Sequence, residues 1–170
     1  MAQTSWPFEN IDTSETQFSQ WARNIGEGVI VGKGLELEPF ADSTGLNVKV
    51  KSGQALVRGH YYNSTAEETL SVSAASGANP RIDLLVARLD PTANSIILAL
   101  VTGTPASSPT APAPTQTESG VYELPLAQVL VGTGVVTINP GDVTDSRLLF
   151  TPYTGQPQGE AISSLLLIGA

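Results

Sequence analysis

Cysteine is absent from the chain, and histidine occurs once, at position 60. Without cysteine the chain has no disulfide, no thiolate nucleophile and no cysteine-ligated zinc. One histidine does not make a histidine-based metal site, and a histidine general base also requires a nucleophile and an orienting group within reach. We therefore interpret His60, in the segment RGHYYN, as a strand residue beside Tyr61 and Tyr62.

Positively charged residues are scarce. The chain has 8 Lys and Arg against 16 Asp and Glu, which gives a formal net charge of −8. Neutralising phosphates of nucleic acid requires clustered lysine and arginine, and so does binding to an anionic membrane surface. We therefore expect no nucleic-acid partner and no attraction to an anionic membrane.

Long apolar runs are also missing. The longest is LLLI in ISSLLLIGA, whereas a membrane-spanning helix needs about 20 apolar residues. The first residues, MAQTSWPFENID, contain neither the basic segment nor the apolar segment of a secretory signal. We therefore expect a protein that is made in a cytoplasm without export and is not inserted into a membrane.

Motifs of enzymes are not found. The glycines of IGEGVIVGKGLE follow a helical segment instead of preceding one, and no serine lies in a G-x-S-x-G motif. Asp42, Asp90 and Asp142 lie in turn-like segments, where aspartate is common because it bonds its own backbone. We therefore predict that the protein is not an enzyme and needs neither a cofactor nor a metal.

Two pairs of opposite charge are spaced two residues apart, Arg81 with Asp83 and Asp145 with Arg147. Residues i and i+2 share one face of a strand, so we expect a local ion pair at each place. The catalytic alternative would require two carboxylates opposed across a cleft, as in glycosidases. Nothing in the sequence links these acids to a cleft.

One segment, DTSETQFSQWARNIGEG, has the pattern of a helix. Asp12 is the expected N-cap, and Glu15 follows three residues later as in a capping box. Phe18, Trp21 and Ile25 recur at helical spacing and so share one face. We expect this apolar stripe to lie against another part of the protein.

From residue 27 onward the pattern changes to short strands bounded by Gly, Ser, Asn and Asp. The predicted strand segments are GVIVG, LELEPF, LNVKVK, QALVRGHYYN, ETLSVS, PRIDLLVARLD, SIILALVTG, YELPLAQVLVG, GVVTIN and VTDSRLLF. PRIDLLVARLD is apolar on both faces, which is typical of a central, covered strand. The predicted fold is mainly β, a β-sandwich-like domain with one N-terminal amphipathic helix and a C-terminal extension.

The proline-rich stretch TGTPASSPTAPAPTQTESG, residues 102–120, would suit a linker by composition. The roughly 30 residues that follow it are too few to bury a core alone, so they must complete sheets begun earlier. We therefore predict an N-terminal arm and helix (1–26), a β domain (27–150) with an internal proline-rich loop (103–117), and a C-terminal extension (151–170).

Three segments in this order carry a resemblance to a known family. They are FSQWARNIGEGVIVG, then GLNVKVKSGQALVRGHYYN with its spacing V-x-S-G-x-A-L-V-x-G-x-Y-Y, then the frame from PRIDLLVARLD through GTPASSPTAPAP and YELPLAQ to VTDSR. From about residue 8 to 150 the chain resembles the N-terminal module of tailed-phage baseplate and tail-fibre proteins, of the upper-baseplate or minor tail type.

The resemblance implies a structural virion protein that anchors or adapts parts of a phage tail. It implies other virion structural proteins as partners, a homo-oligomer with a trimer favoured, and a location in the tail of the virion. Longer members continue into fibre or receptor-binding parts, and this chain stops near residue 170, which leaves contact with a host receptor open.

Two alternatives stand beside this reading. One is a capsid head fibre or decoration protein. The other is a module that binds host glycans, with four aromatic residues as its stacking groups: Trp6, Trp21, Tyr61 and Tyr62. Trp21 is also explained by the helix stripe, and strand aromatics are more often packing residues than ligand platforms.

Both ends of the chain are the predicted partner-docking sites. Trp6 and Phe8 precede the helix in a stretch too short to bury them, and a spacer rich in Gly, Pro and Gln precedes the apolar residues Leu165, Leu166, Leu167 and Ile168. Exposed apolar patches usually mark interaction sites. We therefore expect these residues to contact other subunits, with folding back onto the same chain as the alternative for the last four.

Overall fold

The computed structural model describes residues 12–75 and 77–152. Within these ranges the chain forms helix α1 (Glu15–Arg23), a short 3-10 helix (Pro140–Asp142) and eleven strands. The strands are β1 (Gly28–Ile30), β2 (Pro39–Phe40), β3 (Asn47–Val50), β4 (Gly53–Val57), β5 (His60–Ser64), β6 (Glu68–Ser71), β7 (Arg81–Asp90), β8 (Ser95–Val101), β9 (Tyr122–Val131), β10 (Val143–Asp145) and β11 (Leu149–Phe150).

These strands form three sheets. The strand orders are β11-β1-β4-β5 in the first sheet, β10-β9-β7-β8 in the second and β2-β3-β6 in the third. All neighbouring strands are antiparallel except β1 and β11, which are parallel. The inner strands β7 and β9 carry the longest ladder, from the pair Arg81–Val131 to the pair Leu89–Tyr122.

The sheets enclose one hydrophobic core. The first sheet contributes Val29, Ala55 and Val57, the third contributes Val48 and Val50, and the second contributes residues of β7 and β9 to the same cluster. Strand β7 is inner and buried on both faces, as its two-sided apolar pattern predicts. The prediction of a mainly β, β-sandwich-like fold with one helix near the N-terminus is confirmed. The C-terminal extension lies almost wholly outside the described residues.

The start of α1 differs from the prediction. Ser14, and not Asp12, is the N-cap: its hydroxyl accepts a hydrogen bond from the Gln17 backbone N–H, and the Gln17 side chain reaches back to the Ser14 backbone. Both Ser14 and Asp12 are good caps by residue type. Each candidate has a Glu or Gln three residues later, Glu15 for Asp12 and Gln17 for Ser14, and the structure forms the capping box at Ser14 and Gln17.

The buried face of α1 also differs from the prediction. Phe18, Trp21 and Ile25 are about half exposed, at 58%, 54% and 49%, whereas Ser19 and Ala22 are buried. The hairpin turn between β4 and β5 approaches so closely that a Cβ on Gly59 would lie 2.2 Å from the Ser19 carbonyl oxygen. The helix therefore docks through its small residues, and its apolar stripe faces outward.

Four predicted strand segments have a different structure. VTDSRLLF divides into β10 and β11, which belong to different sheets. LELEPF is mostly turn, and only Pro39–Phe40 pairs. QALVRGHYYN is a hairpin of β4 and β5, because Arg58 and Gly59 have positive φ angles of 50° and 77° and form a two-residue turn. GVVTIN forms no strand, although its Ile138 is fully buried in the core.

The proline-rich segment connects two strands of one sheet that are not neighbours. Strand β8 precedes it, β9 follows it, and both pair with β7, which lies between them. At its start, Gly103 is buried and packs so tightly that a Cβ there would lie 1.9 Å from the carbonyl oxygen of Ile82. The domain limits at residues 26 and 150 stay a prediction.

No helix in the described ranges is long and apolar enough to cross a membrane.

Replacing Gly103 by alanine should destabilise the protein, because the added methyl group meets backbone atoms of β7 that cannot rotate away. Overpacking of this kind costs about 1–3 kcal/mol. Gly141→Ala is the matched control, since a Cβ at Gly141 meets nothing within 4 Å. Urea denaturation of both variants measures the difference, and an equal midpoint for the two would contradict the close approach.

A second local feature is the ion pair between Lys49 on β3 and Asp42 in the loop after β2. The Lys49 Nζ lies 2.7 Å from Asp42 Oδ2, and the Thr44 hydroxyl donates to Asp42 Oδ1 at 2.6 Å. The hydrogen bond from Lys49, followed by that from Thr44, lowers the pKa of Asp42 from 3.8 to about 2. The pair therefore stabilises the fold above pH 3.8 and loses this effect as the pH falls toward 2.

Lys49→Gln should raise the pKa of Asp42 toward its ordinary value, because the strongest of the interactions that favour the carboxylate is removed. An NMR titration of the Asp42 carboxyl carbon measures the midpoint. Lys33→Gln, at an exposed lysine, removes the same charge and should leave the Asp42 midpoint where it is. A midpoint that does not move in Lys49→Gln would disprove the ion pair in solution.

Candidate functional site

A pair of opposite charges on β7 holds two loops. Arg81 and Asp83 are both nearly fully buried, and the guanidinium binds the carboxylate through Nε at 2.8 Å and a second nitrogen at 3.1 Å. The same guanidinium donates to the carbonyl oxygens of Ser73 and Ala74, while Asp83 accepts the backbone N–H of Gly103 at 2.8 Å. The predicted local ion pair is confirmed, and the structure adds its role in anchoring loops.

The second anchor is Glu123 on β9, of which only 1% is exposed. One carboxylate oxygen accepts from Arg88 on β7 at 2.8 Å, and the other accepts the backbone N–H of Thr115 at 2.6 Å. The Glu123 backbone N–H donates in turn to the carbonyl oxygen of Thr115 at 2.8 Å. Glu123 therefore fixes the end of the proline-rich segment against the central ladder.

The third anchor is Arg58, at the tip of the β4–β5 hairpin. Its guanidinium donates to the carbonyl oxygens of Thr117 and Glu118, and it lies 2.6 Å from the Glu118 carboxylate. It also stacks over the Tyr122 ring, with 5.1 Å between the guanidinium carbon and the ring centroid. The hairpin tip, the proline-rich segment and β9 are thereby joined.

Helix α1 is attached to the same place. Arg23 donates to the Arg58 carbonyl oxygen at 3.4 Å and to the Glu118 carboxylate at 3.0 Å. The hydrogen bond from Arg58, with a weaker one from Arg23, lowers the pKa of Glu118. Burial raises the pKa of Tyr122, whose hydroxyl donates to Glu27 at 2.8 Å. These contacts are structural, since each charged group has a protein partner.

A concave surface borders β5, and we call it the edge groove. It has a volume of about 730 Å³ and lies between α1, β5 and the start of β8. Its lining includes His60, Tyr61, Tyr62 and Asn63 of β5, Phe18 of α1 and Ile96 of β8. A smaller groove of about 310 Å³ continues past Tyr62 and Ile96 between β6 and β8.

His60 lies in this groove as the first residue of β5, which confirms its interpretation as a strand residue. Its Nε2 atom is 3.2 Å from Glu15 on α1, and its Nδ1 atom is 3.2 Å from the Arg58 carbonyl oxygen. These two contacts link the helix to the hairpin through His60. Among the described residues, no group of three His, Asp or Glu side chains could hold a metal ion.

The aromatic residues expected for glycan stacking are dispersed in the described structure. Tyr61 and Tyr62 line the edge groove, with Tyr61 exposed and Tyr62 half-buried, while Trp21 contacts Phe18 at 5.8 Å between ring centroids and does not line the groove. The three aspartates predicted to lie in turns do bond nearby backbone: Asp42, Asp90 and Asp142 each accept a backbone N–H of a nearby residue.

The predicted partner-docking residues lie outside the described residues: Trp6, Phe8, Leu165, Leu166, Leu167 and Ile168. Their role stays a prediction.

Sequence reasoning missed two features that the structure brings out, the outward stripe of α1 and the buried Glu123. A charge in the apolar strand YELPLAQVLVG was the available signal for Glu123, with Arg88 as its cross-strand partner.

No protein-family model matches the chain, and no curated protein or solved structure matches it.

Replacing Glu123 by glutamine should loosen the proline-rich segment, because the neutral amide keeps the shape but presents only one oxygen to Arg88 and Thr115. Leaving a buried donor without its acceptor costs about 1–3 kcal/mol. Urea denaturation measures the loss of stability, and limited proteolysis should show faster cleavage within residues 103–117.

Glu68→Gln is the control for this variant, since Glu68 is exposed on β6 and outside the contacts that hold the proline-rich segment, so the change should cost far less. Equal stability of the two variants, together with an unchanged rate of cleavage, would show that Glu123 does not anchor the segment.

Proposed function

We propose that the protein is a structural component of a phage tail, an adaptor or anchor in a baseplate or tail fibre. The ordered motifs from about residue 8 to 150 support the proposal through their resemblance to the N-terminal module of such proteins. Its partners are other virion structural proteins and further copies of the chain, with a trimer favoured, and its place is the tail of the virion. It acts by assembly and not by catalysis.

The observation that best supports an assembly role is the outward stripe of α1. Phe18, Trp21 and Ile25 expose about half of their surface, although the helix itself is held firmly by Arg23, Ser19 and Ala22. A rigid helix that presents two adjacent aromatic rings to solvent is typical of a docking surface, because tryptophan and other aromatics dominate the energy of interfaces.

The anchored loops suit the same role. Arg58, Asp83 and Glu123 hold the hairpin tip and the proline-rich segment with buried, charge-assisted hydrogen bonds. An adaptor that transmits force between virion parts needs such a stiff body. A head fibre or decoration protein of the capsid would also need a stiff body. The position of the protein in the particle must therefore distinguish the tail from the capsid.

Trp21→Ser should weaken assembly without unfolding the protein, because the side chain is half exposed in the monomer. Losing an aromatic interface anchor costs about 2 kcal/mol or more, which is roughly a 30-fold weaker association. Sedimentation measures the oligomeric state, and immunogold labelling of particles measures incorporation and its place at the tail or the capsid.

Val136→Ser is the control, at an apolar residue that is 77% exposed on another part of the surface. Both variants should keep the circular dichroism of the unmodified protein. Normal self-association and normal particle incorporation of Trp21→Ser would argue against the stripe as a docking surface, and absence of the protein from particles would overturn the virion role itself.

A further inference from the structure

Strand β5 is an outer strand of its sheet and pairs only with β4. The two-residue turn makes Val57 and His60 a hydrogen-bonded pair, and such pairs then alternate along the hairpin. The backbone N–H and C=O groups of Tyr61 and Asn63 therefore point outward from the sheet. In the described chain these groups make no backbone hydrogen bond.

Helix α1 lies beside the first residue of this outer strand, His60, but from Tyr61 to Asn63 the strand has little of the usual protection. Natural proteins guard exposed edges with lysine, proline, short strands or bulges. The sequence of β5, HYYNS, contains no lysine and no proline, and its pairing with β4 is regular over five positions. The outer strands β2, β10 and β11 have only two or three residues, and β6 carries Glu68.

The edge groove lies where an added strand would run. Along one side it has four consecutive residues of β5, and opposite them it has Phe18 of α1 and Ile96 of β8. Strand β8 is also uncharged and outer in its own sheet. An extended segment here would bond the backbone of Tyr61 and Asn63 and place alternate side chains against Phe18 and Ile96.

The chain itself contains a segment of the required chemistry. Residues 163–168, SSLLLI, are uncharged, free of proline and apolar over their last four positions. The described chain leaves the first sheet just after β11, which is the outer strand on the side opposite β5. The ten intervening residues, 153–162, reach at most about 33 Å when extended.

We propose that residues 163–168 of one copy add as a strand to β5 in the edge groove of a second copy. This inference rests on the proposed function, since it names the surface that joins copies of the adaptor. The occupant is a second copy because the proposed adaptor is a homo-oligomer, and the donor segment leaves from the edge of the sheet opposite the receiving edge. A neighbour that docks beside β11 brings its own β5 next to the donor.

Folding back onto the same chain would instead require the segment to cross its own sheet. That distance is three strand spacings, about 14 Å, which the ten intervening residues can span, so cross-linking within one chain is the outcome that separates the two routes. The exchange between copies repeats one head-to-tail contact, and such contacts form a closed ring when the rotation between subunits closes. Main-chain hydrogen bonds to β5 would supply affinity, and the alternate side chains would supply register.

The absence of cysteine provides a clean test. Asn63→Cys in one tagged chain is mixed, in turn, with chains carrying Leu165→Cys, Leu166→Cys, Leu167→Cys or Ile168→Cys under mild oxidation. Directly opposite residues of paired strands have Cα atoms about 4.5–5.5 Å apart, within the reach of a disulfide. Mixed disulfide dimers should form at alternate positions of the tail, several-fold above a control with Thr110→Cys in place of Asn63→Cys.

Other outcomes contradict the proposal. A single chain carrying both Asn63→Cys and the best tail cysteine should yield cross-linked oligomers; if it yields a monomer closed on itself, the segment folds back onto its own groove. Cross-linking at all four positions alike, or at none above the control, would exclude a paired strand. Removing residues 157–170 should lower the mass in solution to that of the monomer.

The proposed function can be judged separately. If no tail cross-link forms while the unmodified protein still assembles into particles, the strand exchange is wrong and the adaptor role stands. If the strand exchange is found but the protein is absent from particles, the proposed function fails.

Discussion

The carboxylates of Asp83 and Glu123, buried beside the innermost pair of strands, hold much of the rest of the structure in place. A buried carboxylate is tolerated only when hydrogen bonds and opposite charges compensate its lost hydration. Arg81 and Arg88 provide the charges, and backbone N–H groups of Gly103 and Thr115 provide further donors. Those donors belong to the two ends of the proline-rich segment. The segment is therefore part of the β structure, although its composition suits a linker.

The same constraint extends to the helix. Arg58 sits on the hairpin tip next to the segment that Glu123 fixes, and Arg23 of α1 bonds both the Arg58 carbonyl oxygen and the Glu118 carboxylate. Together with the close approach of Gly59 to Ser19, these contacts set the rotation of α1 about its axis. Its small residues face inward as a result, and its aromatic stripe is left on the surface. The polar anchors thus leave exposed the apolar stripe that we propose as a docking surface.

The proposed assembly would use two kinds of surface with different physics. The stripe of α1 offers apolar area and so suits any partner with a complementary patch. The outer edge of β5 offers backbone donors and acceptors at fixed spacing, which select an extended segment in one register. A subunit that carries both would present two separate interfaces in the proposed assembly.

The sequence alone determined the class of the fold, because alternating and doubly apolar runs report which strand faces are covered. It also located the ion pair of β7, because residues two positions apart on a strand lie on the same face. It did not determine the inner face of α1, the hairpin within QALVRGHYYN or the absence of a strand in GVVTIN. These depended on the close approach of Gly59 to Ser19, on left-handed angles at Arg58 and Gly59, and on the burial of Ile138 outside any ladder. The first and the last are contacts between residues far apart in the chain, which no local pattern records, whereas the turn is a local conformation that the apolar pattern does not report.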